Sequence, residues 1–199
     1  MPKNIKNENI ENDAIENISA EKALLYLLGC AVNSQPPQPA VLRTMDWNAV
    51  YRLSRRHTVA SAACMAVEAG LAAAPLELDE TQAQALALWR DAKNKALRKN
   101  MLLDAERAAL GAYCEEIGCW YLPLKGAVLK ELYPRAGMRQ MADNDILFDA
   151  AYQKQICNWF TARGYKAEAV GTSNHDVYHK KPIYNFEMHT ALFNDLLHP

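Results

Sequence analysis

Met141-Ala142-Asp143-Asn144-Asp145-Ile146-Leu147-Phe148 is the stretch on which the reading of this chain turns. A β-strand sends successive side chains to opposite faces, so Asp143 and Asp145 share one face. Two neighbouring carboxylates repel each other unless a cation stands between them. Ile146, Leu147 and Phe148 follow at once and fix the pair at the start of a buried strand. The pattern predicts a strand over 143–148 that presents a divalent-metal site. A solvent-exposed strand start is the plainer alternative for the same residues.

Just before the pair comes Leu122-Pro123-Leu124-Lys125-Gly126-Ala127. A short apolar and aromatic strand, 119–124, runs here into a glycine and then a short helix, 126–132. Glycine lets a phosphate approach the backbone closely, and a helix N-terminus attracts anions. Gly126, Lys125 and Arg139 are therefore candidate phosphate-binding residues, Arg139 from the loop 133–141 that leads into the aspartates. A solvated turn lysine is the alternative for Lys125.

After the pair, the pattern predicts a helix over 151–163 with Ile156, Trp159 and Phe160 inward, ended by Gly164. An edge strand, 165–170, follows. Strands over 176–181 and 183–189 then form a hairpin around Pro182. In the second of these, Tyr184, Phe186 and Met188 alternate with Asn185, Glu187 and His189. That alternation sends an aromatic face to the core and a polar face the other way. Pairing this strand beside 143–148 brings Glu187 to the aspartates as a third carboxylate. Magnesium is usually held by one or two carboxylates plus substrate phosphates. A carboxylate triad holds two metals, one activating the attacking hydroxyl and one steadying the leaving phosphate. His189, on the face of Glu187, either orients Glu187, touches substrate or is a structural histidine. The adjacent His175 and Asp176 offer a rival, a metal-dependent phosphohydrolase, without further histidines at helical spacing to support it.

The first half reads as helical throughout. Ala20 to Ala31 is a helix, and the proline-rich 33–39 is a loop. Asp46 caps a helix through Arg56. Thr58 opens an alanine-rich helix that ends near Gly70. Asp79 and Gln82 form a capping box that opens a long helix to about Glu116, ended by Gly118. Arg52, Arg55, Arg56 and His57 read as a solvated helix face rather than an RNA surface. Trp89, Trp120 and Trp159 read as core.

The chain has 199 residues, half of them hydrophobic, and a net charge of −1. This is the composition of an ordinary globular protein and gives no sign of a general nucleic-acid-binding surface, while leaving room for local basic sites. The five cysteines match no zinc or redox spacing and are expected to be buried, reduced thiols. Residues 1–19, rich in Asn and Glu, do not read as a signal peptide, and the apolar run 23–32 is shorter than the ~20 residues a bilayer requires. A cytoplasmic location without membrane partners is expected. The organisation expected is a disordered tail over 1–19, a helical region over 20–118 and an α/β core over 119–199. The last residues, 195–199, show no finishing element, so more chain or a partner subunit is expected to complete the working form.

Leu124-Lys125-Gly126-Ala127, Leu132-Tyr133-Pro134, Gly137-Met138-Arg139, the aspartate stretch, Gly164-Tyr165 and Glu187-Met188-His189 occur in that order. This order resembles an uncharacterised bacterial nucleotidyltransferase family of the polymerase-beta-like nucleotidyltransferase superfamily, over about Trp120 to His189. The resemblance implies an α+β fold, with a helical N-terminal region before a minimal mixed sheet flanked by helices. It implies that Asp143 and Asp145 hold magnesium or manganese together with a nucleoside triphosphate such as ATP. Glu187 takes the place of the third carboxylate, which helps deprotonate the acceptor, and Gly126 matches the glycine of a glycine-serine turn. The implied reaction moves a nucleoside monophosphate to an unknown acceptor (a small molecule, sugar, protein or RNA) and releases pyrophosphate. Two residues depart from the pattern. Ala127 stands where serine is common, and Asn144 where a hydrophobic residue is usual. Asn144 either hydrogen-bonds locally, if the strand starts late, or marks a degenerate site. The alternative function is a catalytically impaired nucleotide-binding or regulatory module of the same fold.

Overall fold

The computed structural model describes residues 18–192. The expected tail lies outside the described residues except for Ile18 and Ser19, as does the chain end from residue 193 onward. Two compact units divide the chain, Met1–Arg90 and Asp91–Pro199. The division falls inside one long helix.

In the first unit, α1 (Ala20–Val32) is capped by Ser19, whose hydroxyl accepts from the Lys22 amide. A further short helix, α2 (Pro39–Thr44), begins within the span read as loop. Its signal was Pro39 itself, because proline at the first helical position gives up an amide that needs no partner. α3 (Trp47–Arg56) starts at Asp46, whose carboxylate accepts from the Ala49 amide at 2.9 Å. α4 (Ala60–Ala73) begins two residues after Thr58, which adopts a φ of 55° and gives its hydroxyl to the His57 carbonyl instead. Gly70 does not end this helix. A Cβ there would lie 2.7 Å from both Leu42 and Pro37, so the glycine permits close packing on α2 and the loop before it. The core of this unit is closed by Trp89 of α5 (Glu80–Ile117), which is fully buried and donates its indole N–H to Ser54 at 3.1 Å. The capping box that opens α5 is formed: the Gln82 amide donates to Asp79 at 2.8 Å and the Asp79 amide to Gln82 at 3.2 Å. Arg52, Arg55, Arg56 and His57 are exposed.

The second unit is built on the rest of α5. Its strands are β1 (Tyr121–Pro123), β2 (Asn144–Phe148), β3 (Lys166–Glu168), β4 (His175–Lys180) and β5 (Tyr184–His189). A short helix, α6 (Gly126–Leu129), follows β1 and runs into a 3-10 turn over Lys130–Leu132, and α7 (Gln153–Ala162) follows β2. The sheet order is β1-β2-β5-β4-β3, with β2 and β5 parallel and every other pair antiparallel. A parallel pair needs a long crossover, and α7 with β3 and β4 supplies it. The fold is thus α+β, a helix-rich N-terminal region followed by a mixed five-stranded sheet, as expected.

One face of this sheet packs on α5 and α7. Ile146 and Phe148 of β2, Tyr178 of β4 and Phe186 and Met188 of β5 are fully buried there with Leu110, Ile156 and Phe160. The Phe160 ring stacks on Tyr178 with centroids 4.1 Å apart. Trp120 is not core: it is exposed, because Tyr121 takes the inward position at the start of β1 and its neighbours Trp120 and Leu122 face away. Cys30, Cys64, Cys114 and Cys119 are buried and Cys157 half-buried, all as free thiols. Burial pushes the Cys114 thiol up to about 12, so it behaves as a small apolar side chain. Among the described residues, no helix is long and apolar enough to cross a membrane.

Candidate functional site

The opposite face of the sheet carries the polar residues. β2 and β5 pair so that Asp145 lies beside Glu187 and Leu147 beside His189. Side-chain alternation then puts Asp145, Glu187 and His189 on one surface. Their ligand atoms all lie within 4.8 Å of one another. His189 Nε2 is 3.2 Å from Asp145 Oδ1 and 3.8 Å from Glu187 Oε2. His175 of β4 pairs with His189, and the two rings are 5.2 Å apart.

Asp143 stands one residue before β2, half-buried, and is not one of these three. Burial, and then the charge of Asp145, raise its carboxyl above the usual range. Asp145 goes the other way. Burial raises it, but the hydrogen bonds from Lys125 and His189 outweigh burial and hold it below the usual range. Asp145 thus owes its ease of ionisation to Lys125 and His189, while Asp143 is made harder to ionise by burial and by the charge of Asp145.

Lys125 reaches the same carboxylates from the turn between β1 and α6. Its ammonium is 2.6 Å from Asp145 Oδ1 and 4.0 Å from Glu187 Oε2. The hydrogen bond to Asp145 raises its pKa. The backbone at Lys125 has φ 45°, which for a residue other than glycine costs about 1–3 kcal/mol. Gly126 is next. A Cβ there would lie 3.0 Å from the Met141 sulfur and 3.4 Å from the Arg139 guanidinium, so the glycine keeps the turn close against the Arg139 loop. Asn100 of α5 holds that loop, donating to the Arg139 carbonyl at 2.8 Å and accepting from the Met141 amide at 3.0 Å.

Asn144 has a clear role. It is fully buried on the face away from Asp145. Its amide donates to the Leu103 carbonyl at 3.0 Å, and its carbonyl accepts from Arg107 at 3.0 Å. Arg107 also pairs with Asp104 at 2.8 Å, and Asp104 with Lys130 at 3.0 Å. β2 and the helical turn after Lys125 are thereby tied to the same stretch of α5. Asn100 and Arg107 lie outside the motifs that mark the site in the sequence. Their signal was available: residues 96, 100, 103, 107, 110 and 114 form one helical stripe, and two polar residues interrupt four apolar ones.

Ala127 is buried and packs on Leu103 and Met141. A serine there would place its hydroxyl in an apolar cluster. Ala127→Ser is therefore expected to destabilise the protein by about 1–2 kcal/mol, read as a lower urea midpoint. His175 and Asp176 diverge, as adjacent strand residues must. The fully buried Asp176 carboxylate accepts from Gln153 at 3.0 Å and from the Gly171 amide at 2.8 Å, which ties down a loop.

The Asp145 and Glu187 carboxylates are oxygen donors of the kind magnesium and manganese take, and an ammonium already lies against them as a cation would. Asp145 on β2 with Asp143 just ahead of the strand, Glu187 on the parallel neighbour and the Lys125-Gly126 turn beside them are consistent with a nucleotidyltransferase core. The chain belongs to the family described as uncharacterised nucleotidyltransferase, whose sequence model matches residues 43–199. The match begins well before Trp120, so the family's shared region takes in α3, α4 and α5 as well as the sheet. No curated protein and no solved structure matches the chain.

Proposed function

We propose that this protein transfers a nucleoside monophosphate from a nucleoside triphosphate to an acceptor, with release of pyrophosphate. The observation that carries this reading is the register of β2 on β5, which sets Asp145 beside Glu187 in a chain of a nucleotidyltransferase family. Asp145 and Glu187, with Asp143 at the edge, hold magnesium or manganese. The bound metal supplies charge stabilisation at the phosphates and lowers the pKa of an acceptor hydroxyl. His189 orients Asp145 through Nε2 and faces Glu187. Glu187 accepts the acceptor's proton as its oxygen, or another nucleophilic atom, bonds to the α-phosphorus. The bond from that phosphorus to the bridging oxygen breaks, and pyrophosphate carries away the electron pair. Arg139 and Lys125 neutralise the triphosphate, and Gly126 leaves its backbone open to it.

Asp145, Glu187 and His189 share one sheet face, and the side chains that depart from the usual pattern, Ala127 and Asn144, are engaged in packing elsewhere. That favours an active enzyme over an impaired binding module. Calorimetry with a nucleoside triphosphate, with and without magnesium, tests the site. Magnesium-dependent binding is expected for the wild type and not for Asp143→Ala with Asp145→Ala. Equal binding by both would overturn the assignment.

A further inference from the structure

A phosphate ligand should face the space a phosphate will enter, yet the Lys125 ammonium lies on Asp145 Oδ1 at 2.6 Å and near Glu187 Oε2 at 4.0 Å. These are the two oxygens that also face His189 Nε2. A divalent ion bound to Asp145 Oδ1 claims lone pairs that the ammonium now uses, and like charges cannot share so short a span. Of the two partners, the lysine is free to leave. Its side chain is 59% exposed, against 6% for Asp145, so the carboxylate is fixed by its surroundings and the ammonium is not.

We propose that Lys125 is an exchangeable internal cation: its ammonium neutralises Asp145 and Glu187 until a divalent metal displaces it, and it then pairs with the incoming triphosphate. The inference rests on the nucleotidyltransferase reading above. It has two consequences. Metal alone binds against an internal competitor. Metal and nucleotide bind cooperatively, because the triphosphate gives the displaced ammonium a new partner.

The test is Mn2+ binding to the full chain, followed by electron paramagnetic resonance of the free ion. Wild type, Lys125→Met and Asp145→Asn are titrated without nucleotide and again with a non-hydrolysable ATP analogue. Without nucleotide, Lys125→Met is expected to bind Mn2+ about tenfold more tightly than wild type, since a charge-assisted hydrogen bond no longer competes. The analogue is expected to tighten Mn2+ binding less in Lys125→Met than in wild type. If Asp145→Asn weakens Mn2+ binding but Lys125→Met leaves it equal or weaker, the lysine inference fails and the metal site stands. If Asp145→Asn leaves Mn2+ binding unchanged, the metal-site reading itself fails. Thermal unfolding checks that each variant is folded. Should Lys125→Met melt early, Lys125→Gln, which keeps a polar tip in the exposed position, gives the same comparison.

Discussion

Asp145→Asn is expected to lower nucleotidyl transfer by about a hundredfold or more, a loss of several kcal/mol of transition-state stabilisation. Asparagine keeps the shape of the side chain and a hydrogen-bonding oxygen, so what is removed is the charge. That charge holds Lys125 and faces His189 in the free protein, and under the proposed function it holds the metal in the loaded one. Asp145 is buried beside Glu187, so the lost charge sits at the centre of the carboxylate cluster. The measurement is the incorporation of labelled nucleotide into acceptors of a cell extract, at saturating magnesium, with unfolding curves to show that the variant is folded. Transfer undiminished in Asp145→Asn would remove Asp145 from the chemistry. A wild type that binds nucleotide with magnesium but labels no acceptor would favour the regulatory module.

The parts of this site differed in how visible they were in the sequence. Period-two alternation in 184–189 named the buried face and the polar face of β5 without any structure, because Phe186 and Met188 are apolar and Glu187 and His189 are not. Helix caps at Asp46 and Asp79 were legible for the same reason: they are local, and each side chain bonds an amide three residues on. Partners across the fold were not legible. Asn144 reads as an anomaly in its own strand, and only its contact with Leu103 and Arg107, on α5 some forty positions earlier, gives it a purpose. Trp120 misled because size and apolarity suggest burial, while the facing of an edge strand, set by one residue of register, decides it. Gly70 misled because a glycine near a helix end looks like a stop signal, and here it is a packing contact.

The largest expected loss of stability also comes from Asn144. Asn144→Leu is expected to cost about 3 kcal/mol, through loss of a buried hydrogen bond to Leu103 and a part-buried one that partners the Arg107 guanidinium. Leucine matches the branching of the amide at Cγ but is bulkier, so crowding at this fully buried position adds to the cost of the lost polar partners. Part of it is offset because a leucine side chain is more readily buried than an amide, and because Arg107 keeps Asp104. The effect should not stop at stability. β2 carries Asp145 on its other face, and Asn144 is what fixes the start of that strand against α5. A strand start that is free to shift moves the Asp145 carboxylate relative to Glu187 and Lys125. Urea unfolding followed by circular dichroism reads the first effect, and magnesium-dependent nucleotide binding well below the unfolding transition reads the second. A stability loss with unchanged nucleotide binding would show that Asn144 supports the fold without positioning the site. Loss of both, with Asn144→Gln failing to restore either because its amide is one methylene too long, would show that the contact with α5 sets the geometry of the carboxylates.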